Sequence, residues 1–456
     1  MKKLIILIIG GILLFEPSAC SSFSISKVPP ETVFGVGIDY INSEGGLNQM
    51  SAAMITWARP VGVLWSKVES TQGIYAWGVQ SELEEELYNA SKNGLHVILL
   101  VHSTPEWARK IPGKGPSCGP IAPDKLSAFA DFMHAMVARY SVAPYNIKYW
   151  ELWNEPDTPI ISDDRGFGCW GDTSDDYFGG GFYSEMLKVV YPQMKIANPH
   201  AQVIIGGLLL DCDPRLGAGC AKTGKDTLPP KFLEGILRND GAAYFDGISF
   251  HAYDFYRSKL GEYGNSTWQS AWNTSGPALI EKTKFIQDLL RAYGAADKFL
   301  MNTELGLLCD RCENDPIFET TKAYYLTQSY AAAIASGLRA NLWYNVFGWR
   351  NSGLLYPNLK PRPAYKALKF SRNKLGIAIF NGDINPDDIG GASGVKGYKF
   401  HRGDHRVWLL WSLDGISHEI NLADKPQNAW DALGVPVTPM TTMAVSEKPL
   451  YLEWAP

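Results

Sequence analysis

Between residues 32 and 370, short runs rich in β-branched and aromatic residues alternate with longer amphipathic stretches. No other feature restricts the fold of this chain as much. The apolar runs cover residues 33–38, 54–59, 96–101, 147–153, 203–207, 247–251, 299–303 and 342–346. Helical periodicity fills the intervals at 82–93, 126–140, 183–198, 232–238, 278–292 and 320–336. A strand–helix unit repeated in this way predicts a parallel sheet, because the helix carries the chain back to the starting edge. Eight such units predict a closed (β/α)8 barrel rather than an open, doubly wound sheet. In a barrel the functional groups sit where strands end and βα loops begin, so the search for chemistry narrows to those places.

The pattern changes after residue 370. Runs at 398–401, 407–411, 418–422 and 450–454 are separated by Gly, Pro, Asp and Asn, which predicts a small all-β sandwich with a structural role on the barrel's flank. The N-terminus reads Lys2-Lys3, an apolar stretch over 4–15, then Pro17-Ser18-Ala19-Cys20. A charged start, a short apolar run and a small-residue exit predict a secretory signal, and the run is too short to span a bilayer comfortably. The expected organisation is therefore a signal over 1–20, a barrel over 21–375 and a β-sandwich over 376–456.

Cys20 after small residues resembles a bacterial lipobox, which implies an exported protein lipid-anchored at Cys20, with plain secretion as the alternative. Seven cysteines less Cys20 leave six, an even number suited to an oxidising compartment. Proximity in sequence suggests the pairs Cys118–Cys169, Cys212–Cys220 and Cys309–Cys312. A single Cys-x-x-Cys with no second pair or histidine nearby is a weak zinc signal, and no metal or cofactor is expected.

A net charge of −5 and the lack of any long Lys/Arg run argue against nucleic acid as a partner. The chain has 15 Trp and 22 Tyr, enough to fill a large core and still offer flat rings to sugars.

Glycoside hydrolysis requires one carboxyl group to protonate the leaving oxygen and a second as nucleophile or base. Two strand ends carry candidates. The fourth run reads Tyr149-Trp150-Glu151-Leu152-Trp153-Asn154-Glu155-Pro156-Asp157, and the seventh reads Phe299-Leu300-Met301-Asn302-Thr303-Glu304-Leu305-Gly306. Glu151, inside its strand, reads as structural, and Asp157 as loop-facing.

The Asn154-Glu155-Pro156 turn resembles the acid/base signature of glycoside hydrolase clan A, whose members are retaining enzymes. The resemblance implies that Glu155 is the general acid/base and Asn154 a contact to the sugar 2-hydroxyl. It also implies that Glu304, at the end of the seventh strand, is the nucleophile. Strands four and seven face each other across a barrel mouth, which would bring the two carboxyl groups to about 5–5.5 Å, too close for an intervening water.

Four further segments resemble the clan. Arg59, ending the second strand, would support the nucleophile, and His251 and Tyr253, ending the sixth, would line its side of the pocket. His102 and Trp107, in His102-Ser103-Thr104-Pro105-Glu106-Trp107, resemble a loop of family 39 and would contact sugar. Trp343 on the eighth strand would form the floor of the subsite where the bond breaks.

Within the clan the chain looks closest to family 39, which includes β-xylosidases and iduronidases and also carries a β-sandwich. The insertion over 160–181, rich in Gly, Asp and aromatics, departs from that family. The substrate implied is a carbohydrate with β-type O-glycosidic bonds. An endo-acting glycanase and a non-catalytic sugar-binding barrel are the other readings. A barrel oxidoreductase or aldolase would need a phosphate loop, a Schiff-base lysine or metal ligands, and no such motif is seen.

Overall fold

The computed structural model describes residues 32–113, 115–160, 164, 166–215, 231–268, 270–271 and 275–456. Residues 1–20, with Cys20, and Cys220 lie outside the described residues, so the signal, the anchor and the Cys212–Cys220 pair are not addressed by it.

Eight strands run β1 (Phe34–Gly37), β2 (Trp57–Arg59), β3 (His96–His102), β4 (Tyr149–Asn154), β5 (Gln202–Leu208), β6 (Gly247–Tyr256), β7 (Phe299–Leu308) and β8 (Ala340–Trp343). Each pairs in parallel with the next, and β8 pairs with β1, closing the barrel. A helix follows each strand: α1 (Leu47–Ala52), α2 (Ser81–Lys92), α3 (Leu126–Tyr140), α4 (Gly180–Ala197), α5 (Phe232–Arg238), α6 (Ala278–Ala292), α7 (Pro316–Ala335) and α8 (Pro363–Leu375). This is the (β/α)8 barrel expected from the eightfold alternation.

Two strand predictions shift. The run 54–59 yields a strand only from Trp57, because Met50 O still accepts from Ile55 N at the end of α1. The eighth strand starts at Ala340 and ends at Trp343 rather than running over 342–346.

The barrel interior is filled at its lower end by Trp57, Ile98, Tyr149, Ile204, Met301, Ala340 and Leu342, all buried. Side chains that alternate outward, such as Trp150 and Leu152 on β4, join the larger core beneath the helices. The two-residue pleat thus separates an inner column from an outer layer. A plug of this kind closes the bottom of the barrel and leaves only the mouth for ligands.

Beyond α8, an antiparallel sheet is built from β9 (Ile379–Asp383), β10 (Val395–Arg402), β11 (His405–Ser412), β13 (Asn428–Asp431) and β15 (Leu450–Trp454), with a short strand at Pro436–Val437. A separate pair, β12 (His418–Asn421) with β14 (Thr442–Val445), covers it. Ile420, Met443 and Val445 pack with Leu410, Leu452 and Trp454 between the two layers. This region is docked on the barrel through α8: Ser371 Oγ lies 2.9 Å from the Tyr451 hydroxyl, and Lys374 pairs with Glu453 at 3.0 Å.

Disulfides join Cys118 to Cys169 and Cys309 to Cys312, matching two of the pairings suggested by proximity. Among the described residues, no helix is long and apolar enough to cross a membrane.

Candidate functional site

At the end of β4 the backbone enters the left-handed region twice, at Trp153 (φ 75°) and Glu155 (φ 51°). Non-glycine residues adopt this conformation at some cost, which the surroundings must supply. Here the Trp153 ring packs edge-on against Phe129 and Trp170, and its indole N–H donates to Cys118 O. The turn at Trp153 shifts the pleat by one residue, so Asn154 points inward, as Glu151 does. Glu155 N donates to Gly207 O at 2.8 Å, fixing the start of the loop.

Strand β7 uses a different device. Its register against β6 slips between Asn302 and Glu304, leaving Thr303 as an extra residue. In a regular strand Thr303 and Glu304 would face opposite sides; a bulge re-aims one of them. Both point inward: Thr303 Oγ1 donates to Glu151 Oε1 at 3.0 Å, while Glu304 faces the mouth.

Arg59 connects the two acid-bearing strands. Its Nε donates to Glu151 Oε2 at 2.6 Å, its Nη1 to Glu304 Oε1 at 2.9 Å and its Nη2 to Asn154 Oδ1 at 2.7 Å. Burial opposes the guanidinium charge, but Glu151 and Glu304 outweigh it and hold the Arg59 pKa above the ordinary value. Glu151 is fully buried and accepts also from Ser249 Oγ at 2.6 Å, so it is a structural counter-ion, as its position inside the strand suggested. Asp157 is buried rather than loop-facing: its two oxygens accept from the Leu209 and Leu210 amides, each at 2.8 Å, tying the β4 loop to the β5 loop.

The mouth is completed from β6. Tyr253 donates its hydroxyl to Glu304 Oε2 at 2.5 Å, and burial, then the nearby Glu304 charge, push its pKa well up, keeping it a proton donor. His251 Nδ1 lies 2.9 Å from Glu155 Oε1 and 3.6 Å from Glu304 Oε2. Burial lowers the His251 pKa to about 4. Its Nε2 has no hydrogen-bond partner among the described residues, and a stranded N–H costs more than a stranded lone pair. The proton of the neutral ring therefore belongs on Nδ1, donating to Glu155. Only glycine fits at 207, since a Cβ there would lie 2.2 Å from His251 Nε2.

Oxygen atoms of Glu155 and Glu304 and a nitrogen of His251 all lie within 4.8 Å of one another. Such a trio could chelate a divalent cation, but Arg59 and Tyr253 already occupy both Glu304 oxygens. A guanidinium in that position repels a cation.

Two cavities meet at the acids. One, of about 220 Å³, is lined by Asp39, Arg59, His102, Asn154, Phe167, Glu304 and Tyr344. The other, of about 250 Å³, is lined by Glu155, Asp211, Tyr253, Phe255, Lys282 and Trp349, among others. Phe167 belongs to the 160–181 insertion, which Cys118–Cys169 ties down, and the neighbouring Gly166 O accepts from His102 Nδ1.

Of the residues singled out in sequence, Glu155, Glu304, Asn154, Arg59, His102, His251 and Tyr253 are thus brought together at one mouth. Trp107 and Trp343 are not. Trp107 packs edge-on against Trp65 at 5.4 Å and donates to Glu69 O at 2.9 Å. Trp343 is fully buried, lies 6.1 Å from Tyr325 of α7 and donates to Ser352 O at 2.8 Å. The aromatic that reaches the mouth from the end of β8 is the next residue, Tyr344.

Two buried neutral histidines predict acid lability. Burial holds His102 and His251 each at about 4, against an ordinary 6.5. Between those values the unfolded chain binds more protons than the folded one, so stability is intact above about pH 6.5 and falls as pH drops toward 4. The expected loss is of order 3 kcal/mol per histidine. Urea unfolding midpoints measured from pH 7 down to 4.5 check this; a flat profile would count against the burial of both rings.

The fold of this chain is shared with solved structures of carbohydrate-cleaving enzymes. The structural neighbours include glycoside hydrolases of families 39 and 30. They include a family 39 glycoside hydrolase from the gut symbiont Bacteroides cellulosilyticus WH2, with TM-score 0.66 and 18% identity over 92% of this chain and 80% of that one. A GH30 endoxylanase from Clostridium papyrosolvens C71 has TM-score 0.60 and 12% identity over 93% and 97%. A monomeric β-xylosidase from Caulobacter crescentus CB15 has TM-score 0.57 and 14% identity over 94% and 97%. No protein-family model and no curated protein matches the chain.

Proposed function

We propose that the chain is a retaining glycoside hydrolase that cleaves β-type O-glycosidic bonds of oligo- or polysaccharides by double displacement. Glu155 is the general acid/base and Glu304 the nucleophile. The observation that carries this reading is the approach of the two carboxylates, with an oxygen of each within 4.8 Å of the other, a spacing that suits a retaining enzyme better than the roughly 6.5–9.5 Å of inverting ones.

The surroundings divide the two roles. Glu304 receives a guanidinium N–H and a phenol O–H, donors suited to a carboxylate that must carry negative charge before it attacks the anomeric carbon. Glu155 contacts a neutral imidazole and faces the other cavity, where a leaving group would depart. In the first step Glu304 forms the glycosyl–enzyme bond while Glu155 gives its proton to the leaving oxygen. In the second, Glu155 takes a proton from water, which attacks the same carbon and releases Glu304. Asn154 Nδ2 is available to the sugar, because Arg59 occupies the amide oxygen.

Fold similarity to β-xylosidases and xylanases favours plant-type β-linked glycans as substrates. The sequence favours export, with a lipid anchor at Cys20 or plain secretion. The test is a panel of aryl β-xyloside, glucoside, arabinoside and galactoside, with the first-formed anomer read by proton NMR. The expected result is turnover of at least one with retention. An inverted product from the unaltered enzyme would reject the mechanism, and a chain that cleaves neither these nor polysaccharides would reject the activity.

A further inference from the structure

Asp39 lies just past β1 and lines the cavity on the Glu304 side. Its geometry is well defined. The Asn345 amide oxygen accepts from Gly348 N at 2.7 Å, which turns the amide nitrogen toward Asp39 Oδ1 at 2.8 Å. Among the described residues Asn345 is the one hydrogen-bond donor to this carboxylate. An aspartate so placed retains most of its accepting capacity for a ligand.

The rest of the wall has the same character. His102 Nδ1 donates to Gly166 O, so the lone pair of the neutral ring is on Nε2. That atom is buried and has no partner among the described residues, on a ring that lines the cavity. Each nitrogen of Arg59, the one cation among the described lining residues, is engaged by Glu151, Glu304 or Asn154. Among the described residues the wall therefore offers acceptors and net negative charge, since Glu151, Glu304 and Asp39 outnumber its one guanidinium. Phe167 and Tyr344 add ring surface. Acceptors beside aromatic rings suit a polyhydroxylated ring whose hydroxyls donate.

We infer that Asp39 determines the class of sugar taken by this cavity: it accepts hydrogen bonds from the hydroxyls of a neutral glycosyl unit and excludes uronic acids. A uronate carboxylate would meet Asp39 and Glu304 with no unpaired counter-ion among the described lining residues, a like-charge contact that selects against the wrong ligand. The inference rests on the glycosidase reading for the identity of the cavity, and it can be tested by binding alone.

The experiment measures binding of D-xylose, D-glucose and D-glucuronate to the full chain by calorimetry, with the unaltered protein, Asp39→Asn and His102→Phe. Thermal unfolding of each variant verifies that it is folded. The unaltered protein should bind a neutral sugar about a hundredfold or more tightly than glucuronate. Asp39→Asn should weaken neutral sugar about ten- to hundredfold, the loss expected when hydrogen bonds to a charged acceptor are removed, and should narrow the discrimination against glucuronate. A variant that merely loosened the fold would weaken binding without changing that ratio. Glucuronate bound as tightly as xylose or glucose, an unchanged ratio in Asp39→Asn, or no sugar bound by the unaltered protein would each overturn the inference. A protein that binds neutral sugar with this selectivity but hydrolyses none would keep it and overturn the catalytic reading instead.

Discussion

Glu304→Ala is expected to lower turnover of an activated aryl glycoside by at least about 10⁴-fold, the scale set by losing a covalent nucleophile. The substitution removes the proposed nucleophile while leaving Glu155 and its His251 contact in place. It also vacates the volume that Arg59 and Tyr253 enclose. Added azide can enter there and attack from the same side, giving a glycosyl azide of inverted configuration because only one displacement then occurs. Restored release of the aryl group with that product is the expected outcome. Activity close to that of the unaltered enzyme without azide would place the nucleophile elsewhere.

Arg59→Met should have the largest effect on stability. Glu151 is fully buried, and Arg59 pairs with it at 2.6 Å; removing the cation leaves a buried carboxylate supported only by Ser249 and Thr303 hydroxyls. Breaking a buried pair on one side costs roughly 3–5 kcal/mol, to be read as a shift in the urea midpoint. The same change removes a donor from Glu304, so the folded fraction should also lose catalytic rate. Adding Glu151→Gln to Arg59→Met should recover stability but not activity, since the neutral amide no longer needs a counter-ion while Glu304 still lacks its own. Equal recovery of both would mean that Arg59 acts only as a structural strut.

The barrel could be read from the sequence because its two periodicities are strong and repeat eight times, and because strand ends are where a barrel places chemistry. Glu155 and Glu304 followed from that rule together with the resemblance. The errors came from single-residue phase. Trp343 and Tyr344 are adjacent, and a pleated strand sends neighbours to opposite faces; with β8 ending at Trp343, that ring faces α7 and Tyr344 takes the mouth. Trp107 was misplaced for a different reason: its indole is captured by Glu69 O, a contact between loops that no local pattern encodes. The bulge at Thr303 leaves no mark in composition either. Asp39 was legible, since Ile38-Asp39 ends an apolar run with an acid, as Thr303-Glu304 does. No familiar motif surrounds it.

The proposed double displacement requires Glu304 to form a covalent bond to the sugar. Incubating the enzyme with a 2,4-dinitrophenyl 2-deoxy-2-fluoro-β-glycoside of whichever sugar it cleaves should trap that intermediate, since fluorine slows both steps and the good leaving group spares the first. Peptide mapping by mass spectrometry should then find the fluoroglycosyl mass on the peptide containing Glu304, and none in the Glu304→Ala variant. Label on another residue, or an enzyme that turns over with inversion and is never labelled, would contradict the account.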